Sequence, residues 1–146
     1  MSSLSQPEAA LYPPLVRYLE GRGYRVTVRV HPRRGSPREL DVVGVKPRLG
    51  QVAVVEAKTS HFPAAFEQAL LRLLISDLVY VSFPHAFACS AASRYGDVLR
   101  GAGIGLLAVS ENRTRELLTP RKSESVSPNR RADLINMVLD ARRTVR

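Results

Sequence analysis

Three residues near the middle of the sequence, Asp41, Glu56 and Lys58, are of the types that hydrolyse phosphodiester bonds. Carboxylate oxygens bind Mg²⁺ or Mn²⁺, and such a cation lowers the pKa of bound water and neutralises charge on a phosphate. Lys58 follows Glu56 by two residues, so on a strand both side chains point to the same face, roughly 6–7 Å apart. From there a lysine can position or deprotonate the attacking water. We therefore expect a metal-dependent phosphodiesterase site.

These three residues meet only if residues 39–58 form a hairpin. Pro and Gly mark a turn at 47–50 between two segments with strand patterns. A four-residue turn places Asp41 directly opposite Glu56, and opposed residues have Cβ atoms about 4.5–5.5 Å apart. Two carboxylates this close need a cation between them, unless one of them holds a proton. A bulge in the hairpin would change the pairing.

An ordinary salt bridge is the alternative explanation for the charged residues. In the same register Glu39 falls opposite Lys58, and these two side chains would neutralise each other. The strand at 52–58 is otherwise apolar before its charged end. Charge at the end of a buried strand costs free energy unless it is paired or bound to a metal. That cost favours a functional site, but both explanations remain open.

The apolar periodicity of the rest of the chain predicts an α/β domain. Its order is helix, three strands, helix, strand, helix, strand, which is typical of a mixed central β-sheet flanked by helices. The first three strands can form an antiparallel meander, whereas the later ones need helical crossovers. The expected strands are 24–30, 39–45, 51–58, 78–83 and 104–110, and the expected helices are 14–22, 62–77, 86–100 and 132–143.

The chain is long enough for one compact domain with a tail. We assign residues 1–119 to the domain, 120–131 to a linker because they are rich in Pro, Ser and charge, and 132–146 to a C-terminal helix. The single cysteine, Cys89, excludes an intrachain disulfide and a thiolate zinc site. No secretion signal or membrane span is visible either. These features predict a cytoplasmic protein.

The charge balance favours a nucleic-acid partner. The chain has 22 basic and 13 acidic residues, a formal charge of +9, which is typical of phosphate-backbone binders but also of other basic proteins. Four arginines before Asp41 are expected to follow a phosphate backbone, although a solvated basic loop is the alternative: Arg29, Arg33, Arg34 and Arg38. Trp is absent and aromatic residues total 6%, so base stacking cannot dominate. That favours duplex or branched DNA over single strands.

The spacing of the candidate residues resembles a known signature. Asp41, fourteen intervening residues and then Glu56, Ala57 and Lys58 closely resemble the D-x(n)-(D/E)-x-K motif of the PD-(D/E)XK nuclease superfamily. Arg-Glu-Leu at 38–40 replaces the Pro that names the first half of that motif. The resemblance covers about residues 8–110 and looks closest to small, poorly characterised members and to archaeal junction-resolving and restriction-type nucleases.

The resemblance implies a restriction endonuclease-like core with αβββαβ order. It also implies a Mg²⁺-dependent (or Mn²⁺-dependent) DNA endonuclease that acts in DNA repair, recombination or restriction, often as a homodimer, which suits two-strand cleavage. A catalytically inactive member of the same fold, which binds nucleic acid or a protein partner, is the alternative function.

The resemblance also implies roles for individual residues. Asp41, Glu56 and the backbone carbonyl of Ala57 would bind the metal, and Lys58 would act on the water. Two further residues, from the flanking helices, would complete the site: Glu8, for which Glu20 is an alternative, and Gln68. Arg72, one turn after Gln68, would join the arginines that contact DNA.

Overall fold

The computed structural model describes residues 6–32, 39–111 and 113–145. These residues form one six-stranded mixed sheet with helices on both faces. The α/β class and the mixed sheet flanked by helices are thereby confirmed. The helices are α1 (Gln6–Ala10), α2 (Tyr12–Gly21), α3 (Phe62–Arg72), α4 (His85–Ala102) and α5 (Pro128–Val145), and the strands are β1 (Arg25–Val30), β2 (Leu40–Lys46), β3 (Gln51–Ala57), β4 (Leu78–Pro84), β5 (Gly105–Val109) and β6 (Thr114–Leu118).

The six strands lie side by side in the order in which they occur in the chain. Strands β1, β2 and β3 form an antiparallel meander. Strands β3, β4 and β5 are parallel because α3 and α4 return the chain to the same end of the sheet. The last strand, β6, pairs antiparallel with β5. The sequence did not predict β6, since this short edge strand is only half-buried and lacks an apolar run.

The helices divide between the two faces of the sheet. On one face Leu15 and Leu19 of α2 are buried in a cluster with residues of β1, β2, β3, β4 and β5. On the other face α3 and α4 pack against β4 and β5, and α5 covers β1, β2 and β3. The strands β3 and β4 are therefore covered on both sides, and this explains their almost uninterrupted apolar sequences.

The segment expected to be a linker is attached to the domain. The Ser123 N–H donates to the carbonyl of Asp77 at 2.7 Å, and the Ser127 N–H donates to the carbonyl of Leu74 at 2.8 Å. Helix α5 begins at Pro128, four residues before its expected start at 132, and buries Leu134 and Val138 in the core. Composition predicts a linker here, and its serines satisfy carbonyl groups at the end of α3 and the start of β4.

Gly44 on β2 is needed because the side chain of Tyr24 lies directly over it. A Cβ at this position would be 2.9 Å from the Cβ of Tyr24. We expect Gly44→Ala to lower the free energy of unfolding by about 1–3 kcal/mol, since the buried side chain of Tyr24 and strand β2 cannot move apart without disturbing the core. Urea denaturation measures this loss. Gly21→Ala is the matched control, because no atom lies within 4 Å of its Cβ; equal losses in the two variants would contradict the steric explanation.

Within the described ranges, no helix combines the length and the apolar character needed to cross a bilayer.

Candidate active site

The β2–β3 hairpin has the register that its turn length predicts. Lys46 pairs with Gln51, and Val42 pairs with Val55. A short 3-10 helix, Pro47–Leu49, makes the turn, and Gly50 follows it in the left-handed conformation. Beyond Val42 and Val55, the next residues of the two strands are Asp41 and Glu56. The predicted pairing of the strands is therefore confirmed up to the candidate site.

Strands β1 and β2 change the face of the sheet on which their side chains are buried, and the change occurs beside Asp41. Val28 and its partner Val42 contact the α2 side of the core, whereas Val30 and its partner Leu40 belong to the α5 side. Between Val28 and Val30, Arg29 has a φ of +57°, a conformation that is uncommon for a residue with a side chain. The irregularity lies directly next to the candidate carboxylate, as bulges near functional sites often do.

The carboxylate of Asp41 is held by two donors. The Ala57 N–H on β3 donates to its Oδ2 at 2.8 Å, and the hydroxyl of Tyr12 on α2 donates to its Oδ1 at 3.3 Å. These contacts fix Asp41 against the end of β3, beside Glu56. The two acidic side chains interact, since the negative charge of Asp41 helps to raise the pKa of Glu56.

Glu56 is one of the few charged groups in the core, with 1% of its surface exposed. Its Oε2 lies 2.6 Å from the Nε of Arg72 on α3. Burial raises the pKa of Glu56, the guanidinium of Arg72 lowers it and the charge of Asp41 raises it, and together these causes bring the pKa to about 7. The carboxyl group is therefore close to the balance between its neutral and charged forms near neutral pH.

Arg72 is buried because it occupies the inner face of α3. The buried positions of this helix are Phe62, Ala65, Ala69 and Arg72, which recur at helical spacing. In the sequence, the helical spacing of Phe66, Ala69, Leu70, Leu73 and Leu74 predicts an apolar face made of these residues. This is wrong for Leu70 and Leu74, which are 40% and 44% exposed. The small alanines let α3 approach the sheet closely, and the arginine at the end of the same stripe reaches Glu56. The guanidinium of Arg72, which we expected to contact DNA, is bound to the buried carboxylate of Glu56.

Lys58 follows β3 and is half-buried. Its backbone N–H donates to the carbonyl of Ser82 at 3.0 Å. Within the described part of the chain, no carboxylate oxygen lies within 4.0 Å of its ammonium group. Glu39, the alternative partner, has its Oε2 3.4 Å from the Nε2 of His31. The alternative salt bridge between Glu39 and Lys58 is therefore not formed here.

The other candidate residues lie around this centre. Across residues 6–32, 39–111 and 113–145, no three His, Cys, Asp or Glu side chains form a group that could hold a metal. Neither Glu8 on α1 nor Glu20 on α2 therefore joins Asp41 and Glu56 as a third carboxylate. Gln68 on α3 is half-buried and lines a groove of about 680 Å³ that Arg72 also borders.

The arginines expected to bind DNA are described only in part. Arg29 is exposed, and its guanidinium carbon lies 5.8 Å from the centre of the Tyr12 ring. Arg33, Arg34 and Arg38 lie outside the described residues.

Tyr12 is a site residue that the sequence did not single out. Burial and the neighbouring Asp41 raise its pKa to about 12, so its hydroxyl stays protonated and acts as a donor to that carboxylate. The signal available in the sequence was weak, since Tyr12 stands at the start of a helix and contacts Asp41 across 29 residues of chain.

The titration of Glu56 gives a prediction about stability. Its pKa is about 7 in the folded chain, above the ordinary value of 4.5. The folded state therefore holds a proton that the unfolded state has lost, and this stabilising contribution is present below pH 4.5 and disappears as the pH rises through 7. Relative to Glu56→Gln, which cannot ionise, the wild type should lose about 1–3 kcal/mol of stability between pH 5 and pH 8. Urea denaturation across this range tests the prediction, and parallel curves would contradict it.

Comparison with known proteins adds evidence on the fold. No protein-family model and no curated protein matches the chain. The chain is similar to the solved structure of a protein of unknown function from Silicibacter pomeroyi, with a TM-score of 0.73 and 25% sequence identity over 94% of this chain and 88% of that one. The likeness extends over nearly the whole length of both chains, so it supports one shared architecture. It carries no information about chemistry.

Proposed function

We propose that this protein is a metal-dependent DNA endonuclease of the PD-(D/E)XK type, with its site at the end of the β2–β3 hairpin. The observation that carries the proposal is the position of Asp41 beside the buried Glu56, with Lys58 two residues further along the chain. Its role in DNA repair, recombination or restriction belongs to the same proposal.

The donor atoms suit Mg²⁺ or Mn²⁺. Asp41 and Glu56 offer carboxylate oxygens, and the carbonyl of Ala57 is a third hard oxygen on the same strand end. Burial and the negative charge of Asp41 both raise the pKa of Glu56, which means that they disfavour its charged form. A cation bound between the two carboxylates would favour the charged form of both. The order of the elements also supports the proposal, because α2, β1, β2, β3, α3 and β4 follow the αβββαβ order that the motif implies.

The proposed roles follow from the chemistry of the side chains. A bound divalent cation would neutralise charge on the phosphate and acidify a water molecule. Asp41 and Glu56 would hold the cation, and the hydroxyl of Tyr12 would keep Asp41 oriented. Lys58, with no carboxylate partner among the described residues, would position the water or accept its proton. The formal charge of +9 would attract the polyanionic substrate.

Cleavage assays test this function directly. Linear, nicked, flap and four-way-junction DNA would be incubated with the protein in Mg²⁺, in Mn²⁺ and in a chelator. We expect cuts only with metal, and we expect Asp41→Asn to abolish them. If the wild-type protein cuts none of these substrates, or if Asp41→Asn cuts as well as the wild type, the proposed endonuclease activity at this site is refuted.

A second function is favoured by the Arg72 contact. Because Glu56 already has a cationic partner at 2.6 Å and Asp41 already has two donors, the carboxylates are satisfied without metal. A catalytically inactive protein of the same fold would use its basic surface to bind nucleic acid or a partner. It predicts DNA binding that weakens with salt and does not change with metal. Calorimetric titration with Mn²⁺ separates the two functions. A heat of Mn²⁺ binding that is present in the wild type and lost in Glu56→Gln supports the metal site, whereas the inactive protein should show no such heat.

A further inference from the structure

We propose that Arg72 is the internal cation of the metal-free site and competes with divalent metal for Glu56. The inference rests on the proposed metal site and adds a residue that controls its affinity. Arg72 and Glu56 are both almost completely buried, at 6% and 1% exposure, and their charged atoms are 2.6 Å apart. At this distance and depth, the guanidinium occupies space that an ion bound to the same carboxylate would need.

The competition follows from charge and geometry together. A Mg²⁺ ion binds carboxylate oxygens at about 2.0–2.1 Å and keeps near-octahedral geometry. The guanidinium of Arg72 repels a metal ion at the same carboxylate, and its hydrogen bond occupies a lone pair of the Glu56 Oε2 that could otherwise bind the metal. Asp41 compensates only in part, because each of its two oxygens already accepts one hydrogen bond, from the Ala57 N–H and from the Tyr12 hydroxyl, and has one acceptor site left. Metal binding must therefore move Arg72 or be weakened by it.

The protein has room for such a movement. Arg72 borders the groove of about 680 Å³ that Glu39, Gln68 and Leu71 also line. Its NH2 already makes a long contact, 3.4 Å, with the carbonyl of Glu39 on that side. The guanidinium can therefore leave Glu56 by side-chain rotation into the groove, without unfolding of α3.

Calorimetric titration with Mn²⁺ tests the competition. We expect Arg72→Met, which keeps the length of the side chain and removes its charge, to bind Mn²⁺ roughly ten- to a hundredfold more tightly than the wild type. Arg131→Met is the matched control. Arg131 also pairs with a carboxylate that is 1% exposed, since its NH1 lies 2.7 Å from the Oδ1 of Asp77, but it is on α5 and does not touch the candidate site. Its variant should bind Mn²⁺ like the wild type.

The possible results separate this inference from the function on which it rests. Tighter binding in Arg72→Met alone supports the competition, including the case in which the wild type binds no measurable metal. Equal Mn²⁺ affinity in the wild type and Arg72→Met overturns the competition and leaves the metal site standing. Absence of binding in both proteins overturns the metal site and the competition together.

A measurement on the wild-type chain covers the case in which Arg72→Met does not fold. The Nε–H of Arg72 is bonded to a buried carboxylate, so its proton should exchange slowly with water in the absence of metal. Titration with diamagnetic Mg²⁺, followed by NMR, should accelerate this exchange as the guanidinium leaves Glu56. If Mg²⁺ shifts the backbone amide signals of Ala57 and Lys58 while the exchange of the Arg72 proton stays unchanged, the competition is refuted.

Discussion

Replacing Lys58 with alanine is expected to slow metal-dependent DNA cleavage by about 10²–10⁴-fold, the usual contribution of a group that moves or positions a proton. Lys58 is half-buried at the end of β3 and has no carboxylate within 4.0 Å in the described part of the chain. Its charge is therefore available to water or phosphate. Single-turnover cleavage of the best DNA substrate measures the loss.

Two comparisons make the Lys58 result specific. Lys122→Ala removes the same group from an exposed position and should cleave at the wild-type rate. Calorimetry with Mn²⁺ should show that Lys58→Ala still binds metal, because the proposed ligands are the oxygens of neighbouring residues. A Lys58→Ala variant that cleaves normally would remove this lysine from the mechanism. A variant that loses both cleavage and metal binding would assign Lys58 to the structure of the site.

Asp77→Ala is expected to cost about 3–5 kcal/mol of stability, the largest effect that we predict on folding. Asp77 is 1% exposed, and its carboxylate joins two elements. The Oδ2 accepts the Val52 N–H of β3 at 2.8 Å, and the Oδ1 accepts the NH1 of Arg131 on α5 at 2.7 Å. The alanine variant leaves a buried N–H without an acceptor and releases the helix from the sheet.

Urea denaturation of Asp77→Ala and Asp97→Ala provides a matched comparison. Asp97 also lies next to an arginine, with 3.3 Å between its Oδ1 and the NH1 of Arg100, but its side chain is fully exposed. Exposed pairs contribute about 0–1 kcal/mol, so Asp97→Ala should change stability little. A loss below about 1 kcal/mol in Asp77→Ala would show that α5 is held by its apolar contacts alone.

The hairpin was the most predictable part of the protein. Its register depends on the length of the turn at Pro47–Leu49 and on the alternation of side chains in the two strands. Both features can be read from neighbouring residues in the sequence. The burial of Glu56 was predictable for the same reason, because it interrupts an apolar strand. The class of fold followed from the alternation of strand and helix periods.

The features that the sequence did not reveal depend on how elements pack. The apolar face of α3 was assigned to the wrong leucines, because both sides of this helix are apolar and only contact with the sheet decides which side is buried. The linker was assigned from composition, which does not reveal that Ser123 and Ser127 find carbonyl partners. The strand β6 has no apolar run, and its pairing with β5 is what defines it.

The sequence by itself therefore determined that Asp41, Glu56 and Lys58 lie at one end of a hairpin, since local register and strand period are enough for that. Only the tertiary structure decided the partners of these residues. Arg72 reaches Glu56 because the rotation of α3 on the sheet turns it inward, and Tyr12 reaches Asp41 because α2 covers the other face. Such contacts form between residues far apart in the chain, where packing rather than local pattern sets the geometry.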